Sequence, residues 1–341
     1  MDVAPPVPGT APGRETPAEA RLEYHRLHRA GPRGAWRPLL GVLVVLVGAF
    51  LLAPLVWQLV FAVGFVALGE PLVDSLQELV DTRDPSPLTL AFLNVVLASA
   101  IGLVWAASRL LHRLPLRWVT SVGPRMRWRY FTACFGLSVL ALVATLVVTA
   151  LVPQDVAGAA VEANDFTSTT RDFLLVVLLL TPWQAAGEEY LFRGYLTQAI
   201  GGLVGGELLA RVLAVVVPAL LFGLAHGAQD LPVFFDRFAF GLVAGVLVVV
   251  TGGLEAAIAM HVLNNFLAFG LALAFADLGD ALNPTGGSWW SLPGTLTQSL
   301  VYLGLAWWAA RRMGLPRTVD RGVLAGPDRP VYRSGSAPQG A

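Results

Sequence analysis

From Leu39 to Leu68 the chain runs for thirty residues without a charged side chain. A bilayer's hydrocarbon core is crossed by about 20 apolar helical residues, so this run is long enough to span it. Further apolar runs follow at 88–108, 131–152, 172–192, 208–227, 233–250, 254–276 and 293–310. Only 13% of the 341 residues are charged, against about 25% in soluble domains. The expected fold is an all-α, polytopic transmembrane helical bundle of about eight spans.

The loops predict its orientation. The connection after the first span carries Glu70, Asp74, Glu78, Asp81 and Asp84 against Arg83. The connection after the second carries Arg109, Arg113, Arg117, Arg125, Arg127 and Arg129 and no acid. The third returns to acid, with Asp155, Glu162, Asp165 and Asp172 against Arg171, and the C-terminal exit holds Arg311 and Arg312. Basic loops stay in the cytoplasm, so both termini are expected there, which an even number of spans satisfies. The polar segments 1–38 and 312–341, rich in Pro, Gly and Ala, read as disordered cytoplasmic ends of a helical domain at 39–311. No cleavable signal peptide is visible, since the first apolar run is too long for one. The stretch 194–207 reads either as a continuation of the fourth helix or as a short surface piece.

Zero net charge gives no electrostatic case for nucleic acid. Cys134, the single cysteine, excludes an intrachain disulfide and a cysteine-rich metal site. All 23 basic residues are arginine, a bias of GC-rich bacterial genomes that carries little about function.

Ionisable groups inside apolar segments are expensive and mark functional sites. Glu188, Glu189 and Arg193 stand in TPWQAAGEEYLFRG, His226 in LLFGLAHGAQD, and His261 in AAIAMHVLNNFLAF. On a helix Glu189 and Arg193 share a face as an i,i+4 pair, while Glu188 is turned about 100° away. His261 and Asn265 likewise share a face, Asn264 is turned from it, and Phe222 lies one turn before His226. A desolvated glutamate can act as a general base, histidines can orient water or protonate a leaving amine, and Asn or His N–H groups can stabilise an oxyanion. No serine or cysteine accompanies the set as a nucleophile. Two histidines and a glutamate (Glu188, His226, His261) could also hold Zn2+ with a water in the fourth position. A transporter or proton relay would use similar groups, but no internal repeat is visible. A non-catalytic scaffold or immunity protein is the other alternative.

Taken in order, Glu188-Glu189 with Arg193, Phe222 with His226, and His261 with Asn265 resemble the E-E-x-x-x-R, F-x-x-x-H and H-x-x-x-N motifs of the CAAX-prenyl-protease and bacteriocin-processing (Abi, or CPBP) family of intramembrane proteases. The resemblance covers residues 172–270. It implies a helical bundle with an embedded polar cavity facing the cytosol, and an endopeptidase acting on a membrane-associated peptide or protein. Glu188 would activate water, His226, His261 and Asn265 would position it and stabilise the oxyanion, and Glu189, Arg193 and Phe222 would support them. The family has been described both as zinc-dependent and as glutamate-based without metal; no cofactor is expected here. The lipid bilayer of a bacterial cytoplasmic membrane is the expected setting. One tension remains in the linear order: His226 falls at the outer end of its span, and Glu188 and His261 nearer the cytoplasmic half.

Overall fold

A computed structural model describes residues 21–151, 163–227, 230–284, 287 and 289–324. It is all-helical apart from one short strand pair, and among the described residues six helices are long and apolar enough to cross a membrane. These are Trp36–Leu68, Pro87–Leu111, Trp128–Val148, Glu207–Ala225, Leu231–Thr251 and Glu255–Phe275. Two further helical passages complete the bundle. Residues 168–203 run as Ser168–Leu179, Thr181–Glu189, a π-helical turn Tyr190–Leu196, and Thr197–Leu203. The last is Leu292–Arg312. Large apolar side chains point outward along these helices: Leu59 is 66% exposed, Leu146 56% and Leu208 72%. Such a surface suits lipid and would aggregate in water. The chain is a multi-pass membrane protein.

The connections between passages gather alternately at two ends. At one end Val122 donates its backbone N–H to Gly252, and Leu254 donates to Thr120, both at 2.9 Å. Arg29 reaches the carbonyls of Gly202 and Val204 there, and Arg21–Glu23 pairs antiparallel with Thr318–Asp320. At the other end the Asn283 side chain bonds Thr82, Asn164 bonds the carbonyls of Leu273 and Ala276, and the Gly287 N–H bonds Asp230. The arginine-rich connection of 112–127 belongs to the first end.

That end is closed by protein. Tyr24, His25 and Leu27 are fully buried, and the Tyr24 hydroxyl donates to the Val119 carbonyl. Gly201 lets the helix Thr197–Leu203 approach the backbone of His25 so closely that any Cβ would collide with its carbonyl. Arg127 forks onto both oxygens of the fully buried Glu255, at 2.7 and 2.6 Å, and donates to the Thr251 carbonyl at 2.9 Å. The helix Glu255–Phe275 therefore begins inside the protein, with its first eight residues all buried.

These observations correct one expectation and decide between two alternatives in another. Residues 21–38 and 312–324 are not disordered, because their apolar and aromatic side chains enter the core and their strands pair; residues 1–20 and 325–341 lie outside the described residues. The stretch after Arg193 is no surface piece. It continues the helix through Leu203 before the chain turns at 204–206.

Candidate active site

Pro182 lacks a backbone donor, so the helix breaks at Leu180 and restarts at Thr181. On this second segment Gly187 faces helix Pro87–Ala98, where a Cβ would strike the Leu97 carbonyl. The close approach seats the last turn, with Glu188 and Glu189, deep in the bundle. Glu188 is 6% exposed and Glu189 fully buried. The following residues widen into a π turn, an irregularity that recurs at functional sites. It keeps Arg193 against Glu189, with its NH1 donating to Oε1 at 3.0 Å.

His261 joins both carboxylates. Its Nδ1 is 2.8 Å from Glu189 Oε1 and its Nε2 is 3.5 Å from Glu188 Oε2. Phe222 and Phe240 hold the imidazole edge to face at 5.9 and 5.3 Å. Phe222 also lies 4.0 Å beneath the Arg193 guanidinium, a cation–π contact that partly replaces the solvation this buried charge has lost.

A second chain of contacts runs through a residue the sequence reading passed over. Gln184 donates Nε2 to Glu188 Oε1 at 2.9 Å, and its Oε1 accepts from Asn265 Nδ2 at 2.9 Å. Both ends of the amide are used, which fixes the carboxylate of Glu188 relative to Asn265. Glu188 Oε2 accepts no donor within hydrogen-bonding range from the protein. Gln184 stands one helical turn before Glu188, so its place on that face was legible from spacing. Phe240 and the Arg127–Glu255 clamp were not, since neither carries a motif signal.

His226 ends the helix Glu207–Ala225 and is exposed. Its Nδ1 lies 2.9 Å from the Phe222 carbonyl, which can only accept, so the proton is on Nδ1 and Nε2 is the acceptor of the neutral ring. The ring is 4.4 Å from that of Phe222. Phe222 thus bridges the depth difference expected from the linear order, helped by the sunken start of the His261 helix.

The cluster opens in one direction. Arg193 and Glu189 are sealed, Gln184 and Glu188 nearly so, Asn265 is half-buried and His226 exposed. The open members lie toward the end of the bundle where the helix Glu207–Ala225 finishes, away from the arginine-rich end. Residues 21–30 and 112–127 cover the opposite end. Among the described residues no three His, Cys, Asp or Glu side chains converge as a metal site; Glu188, His226 and His261 do not form a three-ligand set.

A model of the type II CAAX prenyl endopeptidase Rce1-like family matches residues 170–267, the segment that contains every one of these groups. Residues 170–267 are thus similar to that family. The family is one of proteases, so the match supports a hydrolase acting on peptide bonds. Over 291 residues the chain is 28% identical to the uncharacterized protein YyaK of Bacillus subtilis strain 168, covering 82% of this chain and 93% of that one. The similarity therefore extends well beyond the Rce1-like core into the flanking helices. No solved structure matches the chain.

Proposed function

We propose that this Rce1-like protein is an intramembrane endopeptidase that hydrolyses a peptide bond of a membrane-associated peptide or protein by water activated at Glu188. The observation that carries the reading is the fixation of Glu188: one oxygen is held by Gln184, and the other faces His261 with no protein donor on it. A carboxylate held at one oxygen keeps the other oriented as a base.

In the reaction Glu188 Oε2 takes a proton from water as the water oxygen bonds the scissile carbonyl carbon. The carbonyl electrons move to oxygen, and the second N–H of Asn265 Nδ2 is available to that oxyanion. The proton on Glu188 then passes to the amide nitrogen as the C–N bond breaks. His226 and His261 position the water. The route uses no metal, and a zinc requirement is the competing outcome.

The bundle is read as eight crossings of a bacterial cytoplasmic membrane, with both termini cytoplasmic. The alternation of connections between two ends supports the even number, as does the pairing of Arg21–Glu23 with Thr318–Asp320. The arginines of 109–129 support the orientation. The deciding experiment reconstitutes the purified chain in lipid with membrane-anchored peptide libraries and reads cleavage by mass spectrometry. Cleavage by the wild type that is absent in Glu188→Gln is expected; equal cleavage by the variant would remove Glu188 as the base.

A further inference from the structure

A further charged pair lies within a membrane helix: Asp236 and Arg237, in the second turn of Leu231–Thr251. Embedded charges are expensive, and those that do not neutralise one another well mark function. The bundle shows what a supporting pair looks like. Arg193–Glu189 is sealed and bonded at 3.0 Å, and Arg127 forks onto both oxygens of the buried Glu255 at 2.7 and 2.6 Å. Arg237 differs. It donates to Asp236 Oδ2 through Nη1 alone, at 3.3 Å, and its side chain is 31% exposed. Asp236 Oδ1 is buried with no hydrogen-bond partner. One long contact between chain neighbours leaves most of the guanidinium's five donors unused.

The packing aims Arg237 at the open side of the site. Phe240, whose ring meets that of His261 at 5.3 Å, stands three residues later on the same helix face. Arg237 is therefore about 4.5 Å farther along the axis, toward the helix N-terminus. The helix Glu207–Ala225 packs antiparallel against this one. A Cβ at Gly245 would meet Val215 at 3.0 Å, one at Gly241 would meet Ala219 at 3.0 Å, and one at Gly223 would meet the Phe238 backbone nitrogen at 3.5 Å. That register puts Arg237 level with the turn between Phe222 and His226. On the other side, the helix Glu255–Phe275 is also antiparallel, and counting from the Phe240–His261 contact puts Arg237 level with Asn265. A helical Cβ tilts toward the helix N-terminus, so the long side chain leans to the end where His226 and Asn265 are open. It supplies positive charge at the entrance, whereas Arg193 is spent on Glu189 and Phe222 in the interior.

We propose that Arg237 is a specificity-determining residue of this site, selecting substrates that carry a carboxylate within about three residues of the scissile bond, an extended chain advancing about 3.3 Å per residue. The proposal rests on the protease reading of Glu188. A guanidinium takes a carboxylate through two parallel N–H bonds, which its single contact with Asp236 does not supply. With the site empty, Asp236 keeps the guanidinium in place. The carboxylate has two sources, an acidic side chain of the substrate or its C-terminus. Charge complementarity at an entrance decides which partner is accepted more than how tightly it is held.

The test uses the full chain in lipid nanodiscs and a library of membrane-anchored peptides built as charge-matched pairs. One arm exchanges Glu for Gln at each position, and the other exchanges a free C-terminus for its amide. Mass spectrometry reads relative kcat/KM. Fluorescence anisotropy reads binding to Glu188→Gln, with and without Arg237→Gln, and needs no turnover. The carboxylate-bearing member of a pair is expected to be preferred on the order of 10-fold, a preference lost in Arg237→Gln and partly kept in Arg237→Lys. Each preference is a ratio within one preparation, so the folded fraction of a variant does not move it. Preference in the Glu/Gln arm identifies a side chain, and in the acid/amide arm a terminus. Equal handling of charged and neutral peptides by the wild type, or an unchanged preference in Arg237→Gln, overturns the proposal. Absence of cleavage with an Arg237-dependent binding preference would sink the protease reading and leave the carboxylate site standing.

Discussion

Gln184 donates its amide N–H to Glu188 from one helical turn earlier, at 2.9 Å. The same amide accepts from Asn265 on another helix, so a single side chain sets the distance between the proposed base and the proposed oxyanion donor. Gln184→Leu removes both bonds while nearly keeping volume. The expected result is a kcat lower by about 10-fold or more with KM little changed, and an altered acid limb in the pH–rate profile. A purely structural role would lower the melting temperature and leave that profile in place.

Glu188→Gln keeps the shape and can still bond Gln184, but it cannot take a proton from water. Turnover should fall by at least about 10²-fold. Thermal stability should hold or rise slightly, because a buried negative charge is gone. Cleavage assays and melting curves on the same reconstituted sample check both halves.

Arg193→Met leaves Glu189 fully buried with only His261 to hold it. Breaking one partner of a buried ion pair costs about 3–5 kcal/mol. The double variant Arg193→Met with Glu189→Gln removes the orphaned charge and should recover a large part of that loss. Equal stability of the single and double variants would show that the pair contributes little.

Acid should loosen the arginine-rich end. Burial, with Arg37 beside it, pushes the His112 imidazole down to about 4, and burial next to His112 holds His28 well below its usual range. Burial also pushes His25 down to about 4, partly opposed by Glu23. Each is neutral when folded and takes a proton near pH 6.5 when unfolded, so the unfolded state binds more protons as pH falls. Stability is full above about 6.5 and declines toward 4, by about 3 kcal/mol for His112. Melting temperatures between pH 7.5 and 5 should drop, and His112→Gln should flatten the slope.

Chelators should leave turnover unchanged. Glu188 and His261 lie 3.5 Å apart, but His226 does not complete a ligand set with them. Activity lost in a chelator and restored by zinc alone would replace the metal-free route.

The apolar runs were legible because a hydrocarbon solvent demands length and uniform apolarity, which a linear chain displays directly. The three motif segments were legible because embedded charges are rare enough to stand out. Gln184 shared their helix face at a readable spacing yet carries no charge, so it did not stand out. Order in residues 21–38 was hidden for a different reason. Tyr24, Leu27 and His28 are too few to announce a buried segment, and their partners lie about 90 to 180 residues away.

Chain composition alone thus determined a membrane bundle and named Glu188, Glu189, Arg193, His226, His261 and Asn265 as its embedded polar groups. Local periodicity suffices for that, since it follows from backbone geometry. Only tertiary packing decided which of them touch. It placed His261 against both carboxylates, made Phe222 the bridge to His226, and closed the arginine-rich end over the cluster. Those outcomes depend on close approaches between distant segments, such as Gly187 on Leu97 and Gly201 on His25, which no spacing along the chain encodes.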